Sequence, residues 1–161
     1  MRRFARLACA LSLFATALPA LAADAAVATA AQPSLYKRLG GYDALAAVTD
    51  DFIGHMAADP SLGKFFAGHS KESLGRIRQL VVDQLCAATG GPCVYIGRDM
   101  KSSHQGMGIS EENWKAAAGY LVATLDKFKV PEKEKGEVLA LVTTLHDDIV
   151  ERPAMAAPAK P

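Results

Sequence analysis

What this 161-residue chain lacks narrows it before any motif is read. It has no cluster of basic residues, and its 18 Lys+Arg nearly balance 17 Asp+Glu, for a net charge of +1. Arg2, Arg3 and Arg6 belong to an N-terminal leader; 18 less these three leaves 15 basic against 17 acidic residues, or −2. That balance offers no electrostatic footprint for a nucleic acid and none for an anionic membrane surface. The apolar run from Leu7 to Leu18 is too short to cross a bilayer comfortably. No segment alternates polar and apolar residues between turn signals, so β-sheet is absent or trivial. Cysteine is scarce, with three in the whole chain, and no histidine flanks a cysteine pair at zinc-site spacing.

What is present begins with that leader. Three arginines, the apolar run, Pro19 and the small-residue triplet Ala20-Leu21-Ala22 follow the order of a secretory signal peptide over residues 1–22. Cleavage is expected after Ala22 or Ala23 and removes Cys9; an uncleaved membrane anchor is the alternative. The product is expected in the periplasm or outside the cell, with no membrane contact after cleavage. Residues 23–33 are an Ala-rich tract without periodicity, and residues 153–161 are Ala, Pro and Lys; both read as disordered. Residues 34–152 remain, enough for one domain with its own core, and no internal repeat divides them.

That domain reads as all-α. Leu45, Val48, Phe52 and Met56 form one helical stripe, with Ile53 beside it. Asp59-Pro60 pairs a cap residue with proline, predicting a short helix that ends at Phe65-Phe66. Leu74, Ile77, Val81, Leu85 and Ala88 form a second stripe, ended by Gly90-Gly91-Pro92. Ser110 caps a third, made of Trp114, Ala117, Leu121, Leu125 and Phe128. Pro131 opens a last helix with Val138, Leu141, Val142, Leu145 and Ile149 inward. Cys86 and Cys93 flank the Gly-Gly-Pro turn; in an oxidising compartment they form a disulfide, or else stand as one buried small residue and one exposed thiol.

The stretch from Thr89 to Met107 is too long and irregular for a plain connection, yet it carries Tyr95, Ile96, Met100 and His104. Imidazole is the commonest side-chain metal ligand. A helical domain whose irregular segment offers a histidine among apolar residues is a cradle for a flat apolar cofactor.

At this point the residues match a family. Leu35-Tyr36-Lys37-Arg38-Leu39-Gly40-Gly41, Asp51-Phe52, Ala58-Asp59-Pro60, Lys64-Phe65-Phe66-Ala67-Gly68, Gly90-Gly91-Pro92, Tyr95-Ile96-Gly97-Arg98-Asp99-Met100, His104-Gln105-Gly106-Met107-Gly108-Ile109 and Val130-Pro131 stand in a characteristic order. From Ser34 to about Val150 the chain resembles the group I truncated haemoglobins, small globins with a two-over-two helical sandwich around a haem pocket. The resemblance implies that His104 is the proximal ligand to iron. It implies that Phe66 wedges against the haem and that Tyr95, Met100 and Ile109 line its proximal side. Lys101 and Arg98 are candidates to pair with the propionates or to stay solvated. With no Cys-x-x-Cys-His in the chain, the haem should be non-covalent b-type.

The chain departs from the family where a tyrosine usually follows the phenylalanine of the second helix. Here Phe52 is followed by Ile53, which cannot donate a hydrogen bond. Counting back from Gly90-Gly91 places Ile77, Leu80 and Val81 on the distal side, with Gln84 one turn further. Counting forward from Phe66 offers Leu74, Ile77 and Arg78 instead; the first register keeps the apolar stripe on the haem. His55 is expected to point away, His69 to be solvated or a sixth ligand, and His146 to lie at the surface.

The function implied is reversible binding of diatomic gases (O₂, NO, CO), akin to oxygen binding and transport, in a monomer with an unusually apolar distal pocket. The alternatives are a nitric oxide dioxygenase served by a reductase, a peroxidase-like haem enzyme, an electron carrier with two protein ligands on iron, and a helical domain that has lost haem.

Overall fold

In the computed structural model, which describes residues 32–151, every regular element is helical. The predicted signal peptide, the C-terminal tail and all but the last residues of the linker lie outside the described residues. In chain order the helices are α1 (Leu35–Arg38), α2 (Gly41–Ala58), a 3₁₀ turn η1 (Gly63–Phe65), α3 (Lys71–Ala88), α4 (Met100–His104), α5 (Glu111–Lys127), α6 (Glu132–Thr143) and α7 (His146–Ile149). No helix among the described residues is long and apolar enough to cross a membrane.

Local chemistry sets most boundaries. Ser70 and Ser110 accept the orphan N–H groups of Ser73 and Asn113 at the starts of α3 and α5, and Asn113 returns the bond to Ser110 as a capping box. α3 ends at Thr89, after which Gly90 takes positive φ. A Cβ at Gly91 would come within 2.6 Å of the Tyr36 ring and 2.7 Å of Cys86 Sγ, so only glycine lets this turn close against both. Cys86 and Cys93 are joined by a disulfide across the turn.

Two expected elements differ. Asp59 does not start a helix; it caps the end of α2, and its carboxylate accepts from Ser61 and Leu62 N–H to shape the turn into η1. The helix expected from Pro131 to Ile149 breaks at Thr144–Leu145 into α6 and α7. There the Thr143 and Thr144 hydroxyls donate to the carbonyls of Leu139 and Leu141, a local bonding that competes with the helical ladder.

α2 packs on α3 and on α5, and α5 packs on α6, so two helix pairs lie against one another. Leu35, Val48, Leu121, Leu125 and Val138 are buried together at their centre, with Phe52, Val130 and Leu141 against them. Each fully buried aliphatic side chain contributes about 2 kcal/mol of transfer free energy. The Arg38 guanidinium holds Glu134 and Glu137, tying α1 to α6.

Candidate functional site

The site is built around α4. Five residues are too few for a helix to stand alone. Asp99 caps this one, accepting from the backbone N–H and the hydroxyl of Ser102 at 2.8 Å each. Those bonds, the backbone one foremost, hold its carboxyl below the usual carboxylate range. α4 also packs against α7. Upstream, the Tyr95 hydroxyl donates to the Arg98 carbonyl at 2.6 Å, folding the ring over Gly97. A Cβ at Gly97 would sit 2.3 Å from that hydroxyl oxygen, so the close approach requires glycine.

His104 ends α4 half-buried, and its Nδ1 lies 2.8 Å from the Met100 carbonyl oxygen. A carbonyl only accepts, so Nδ1 carries the proton. Of the two neutral tautomers, this contact selects the one that leaves the lone pair on Nε2. Met100 is half-buried on the same helix, Ile109 is buried just beyond it, and Lys101 is exposed.

The predicted distal residues lie on the packed pair α2 and α3. Ile53, Ile77 and Val81 are half-buried, as are Leu80 and Gln84. Phe66 is half-buried at the end of η1. Arg78, offered by the alternative register, makes two bonds to the Asp50 carboxylate at 2.7 and 2.8 Å. His55 pairs with Asp51 at 3.4 Å and stacks on Tyr120, His69 is exposed and bonds Ser73, and His146 sits between two carboxylates. A small enclosed cavity of about 20 Å³ sits in the core, lined by Val48, Leu85, Leu121, Leu125 and neighbours, and by none of the candidate residues. Its size and apolar walls mark a packing defect.

The bacterial-like globin family matches residues 34–151. The chain belongs to that family. A group 1 truncated haemoglobin of Mycolicibacterium paratuberculosis is 36% identical over 116 residues, covering 72% of this chain and 83% of the relative. The truncated haemoglobin of Tetrahymena pyriformis in its Fe(III) form superposes with a TM-score of 0.68 at 25% identity, covering 74% of this chain and all of that one. The 2/2 haemoglobin of a Synechococcus species, solved with covalently attached haem, superposes with a TM-score of 0.68 at 28% identity, covering 74% and 100%. The cofactor of this globin is haem, and its activity is haem-based ligand binding.

The residues present fit that group. Among the described residues no three His, Cys, Asp or Glu side chains gather to hold a bare ion. A lone imidazole with its second nitrogen fixed suits a metal that already carries a macrocycle. Half-buried apolar side chains on α2, α3 and α4, among them Ile53, Ile77, Val81 and Met100, are of the kind that packs against a porphyrin. Two residues that shape the globin's site escaped the sequence reading. Asp99 was legible as an Asp standing just before a helix, while Glu151, whose carboxylate accepts the Gly106 N–H, lies 45 residues away and carries no local signal.

Proposed function

We propose that this globin is an exported haem b protein in which His104 Nε2 holds the iron and a diatomic gas binds on the side of Ile53, Ile77 and Val81. The carrying observation is the 2.8 Å contact from His104 Nδ1 to the Met100 carbonyl, which fixes the tautomer that leaves Nε2 free. Haem, when bound, supplies an iron that takes O₂, NO or CO. The rest is the work of this chain. α4 orients the imidazole, Phe66 and Met100 give apolar contact, and Tyr95 stiffens the approach to α4. Ile53 cannot donate a hydrogen bond, so the pocket stabilises a polar ligand such as O₂ less than it would with a tyrosine. CO and NO, which gain less from a donor, are favoured in comparison.

Reading the function as gas binding, rather than as electron transfer with two protein ligands, draws support from His69. Its ring is exposed and bonded to Ser73. The Arg-led apolar leader and the Cys86–Cys93 bridge support export to an oxidising compartment. The test is the visible spectrum of the haem-loaded protein, ferric and ferrous. A broad ferrous band that sharpens on adding CO fits one protein ligand. Sharp split ferrous bands without added ligand would overturn the open distal site.

A further inference from the structure

α7 is four residues long, yet it is tied on one side to the segment that joins α4 to α5 and on the other to α5 itself. Past its C-terminal end, Glu151 accepts the Gly106 N–H through its carboxylate, and its own N–H donates to the Ile109 carbonyl at 2.9 Å. These two bonds bracket residues 106–109, which begin two positions after His104. At the other end, His146 Nε2 lies 2.9 Å from Glu111 on the first turn of α5, and Nδ1 lies 3.0 Å from Asp147. Trp114 stands edge-on to the same ring at 5.1 Å between centroids. Carboxylates only accept, so an imidazole bonded to one at each nitrogen carries both protons.

We infer that α7 with Glu151 is a clamp that positions His104, and that the protonated His146 ring fastens this clamp to α5. The inference rests on the haem-ligand reading of His104. Glu151 and His146 are positioning residues; they act through the backbone and not on the iron. The clamp should respond to pH. The charged groups around the His146 ring are Asp147 and Asp148 on its own helix, and Glu111 with its partner Lys115 on α5. α4, the other element packed on α7, carries Lys101 and His104. The Asp147 and Glu111 bonds raise the His146 pKa above the ordinary imidazole value. A raised folded value means the tie is complete below the unfolded pKa and is lost as pH rises through the folded one. Above it one carboxylate loses its donor and α7 loosens.

The test uses the full haem-loaded chain and its Glu151→Ala, Glu151→Gln and His146→Gln variants. The readouts are the ferrous iron–imidazole stretching band, haem transfer to an excess acceptor at about pH 6.5 and about pH 9, and amide exchange at residues 106–109. Glu151→Ala should shift the band, speed haem loss about ten-fold and lower protection at 106–109, while Glu151→Gln, which keeps a carbonyl acceptor, should stay within about three-fold. The unaltered chain should release haem faster at the higher pH, and His146→Gln should flatten that dependence. A Glu151→Ala protein with the original band, haem-loss rate and exchange pattern overturns the clamp, as does an unchanged pH ratio in His146→Gln. If the unaltered chain shows no iron–imidazole band, the ligand assignment of His104 fails instead, and exchange at 106–109 still decides whether the clamp exists.

Discussion

The His104 ring reaches back across α4 to the carbonyl of Met100, 2.8 Å away, so the first and last residues of this helix are joined by a side chain as well as by the backbone. The bond does for the imidazole what an outer-shell partner does for a histidine ligand: it fixes the tautomer and sets the ring plane. His104→Ala should therefore release haem at least about 100-fold faster than the unaltered chain, or fail to retain it through desalting. Retention at the original rate, with the same ligand spectra, would refute the assignment of His104.

Ile53 occupies the position where the resembled family usually has a tyrosine, on the half-buried side of α2. A buried hydroxyl donor to a polar ligand is worth about 1–2 kcal/mol, so Ile53→Tyr should slow O₂ release by about ten-fold. CO release should change much less. Stopped-flow displacement of O₂ by CO reads the first rate and displacement of CO by NO the second, and an equal or faster O₂ rate in the variant means that position 53 does not overlie the iron.

The stripes on α2, α3 and α5 could be read from spacing because each helix buries one face against a neighbour, which forces apolar residues into a 3.6-residue period. His104, Phe66 and Met100 could be singled out because their neighbours form a recognisable order. The break between α6 and α7 was hidden, since Leu145 and Ile149 keep the helical period across it while two threonine hydroxyls divert the carbonyls beneath. The tie from Glu151 to Gly106 was hidden for a different reason. It spans 45 residues, and nothing local to a glutamate near the chain's end marks its partner.

The Cys86–Cys93 bridge joins cysteines seven positions apart, at the end of α3 and in the segment leading to α4. Closing so short a loop stabilises by about 2 kcal/mol in the chain-entropy account. The double replacement by serine should lower the urea midpoint by that equivalent. It should also speed haem loss, because residues 93–99 carry Tyr95 and the Asp99 cap of α4. Cys86 is fully buried, so a mild thiol reductant should reach the bond through Cys93 and act slowly on the folded protein. Equal stability of the serine variant and the unaltered chain, measured without reductant, would contradict this.

Thr49 is fully buried on α2, and its hydroxyl has no hydrogen-bond partner. A hydroxyl taken out of water without a partner costs about 1–3 kcal/mol, and valine has nearly the same shape. Thr49→Val should raise the unfolding free energy by about 1 kcal/mol, read as a higher urea midpoint at unchanged slope. A destabilised variant would mean that the hydroxyl is bonded in solution, with an internal water as its partner.

Asp59 links the end of α2 to α5. Its carboxylate accepts from Ser61, the Leu62 N–H and the Tyr120 hydroxyl, the last at 2.7 Å. These donors, Ser61 first, hold its carboxyl far below the usual carboxylate range, and the same bond raises the Tyr120 hydroxyl. For an acid whose folded pKa is depressed, the stabilisation is complete above the unfolded value of about 3.9 and is lost as pH falls toward the folded one. Asp59→Asn should thus be less stable than the unaltered chain at neutral pH, and the gap should narrow below about pH 4. Tyr120→Phe, which removes one of the donors, should show a smaller deficit with the same pH trend. Urea midpoints across an acid series check both. A deficit that stays constant from neutral pH to about pH 2.5 would mean that Asp59 acts through turn geometry alone and not through its charge.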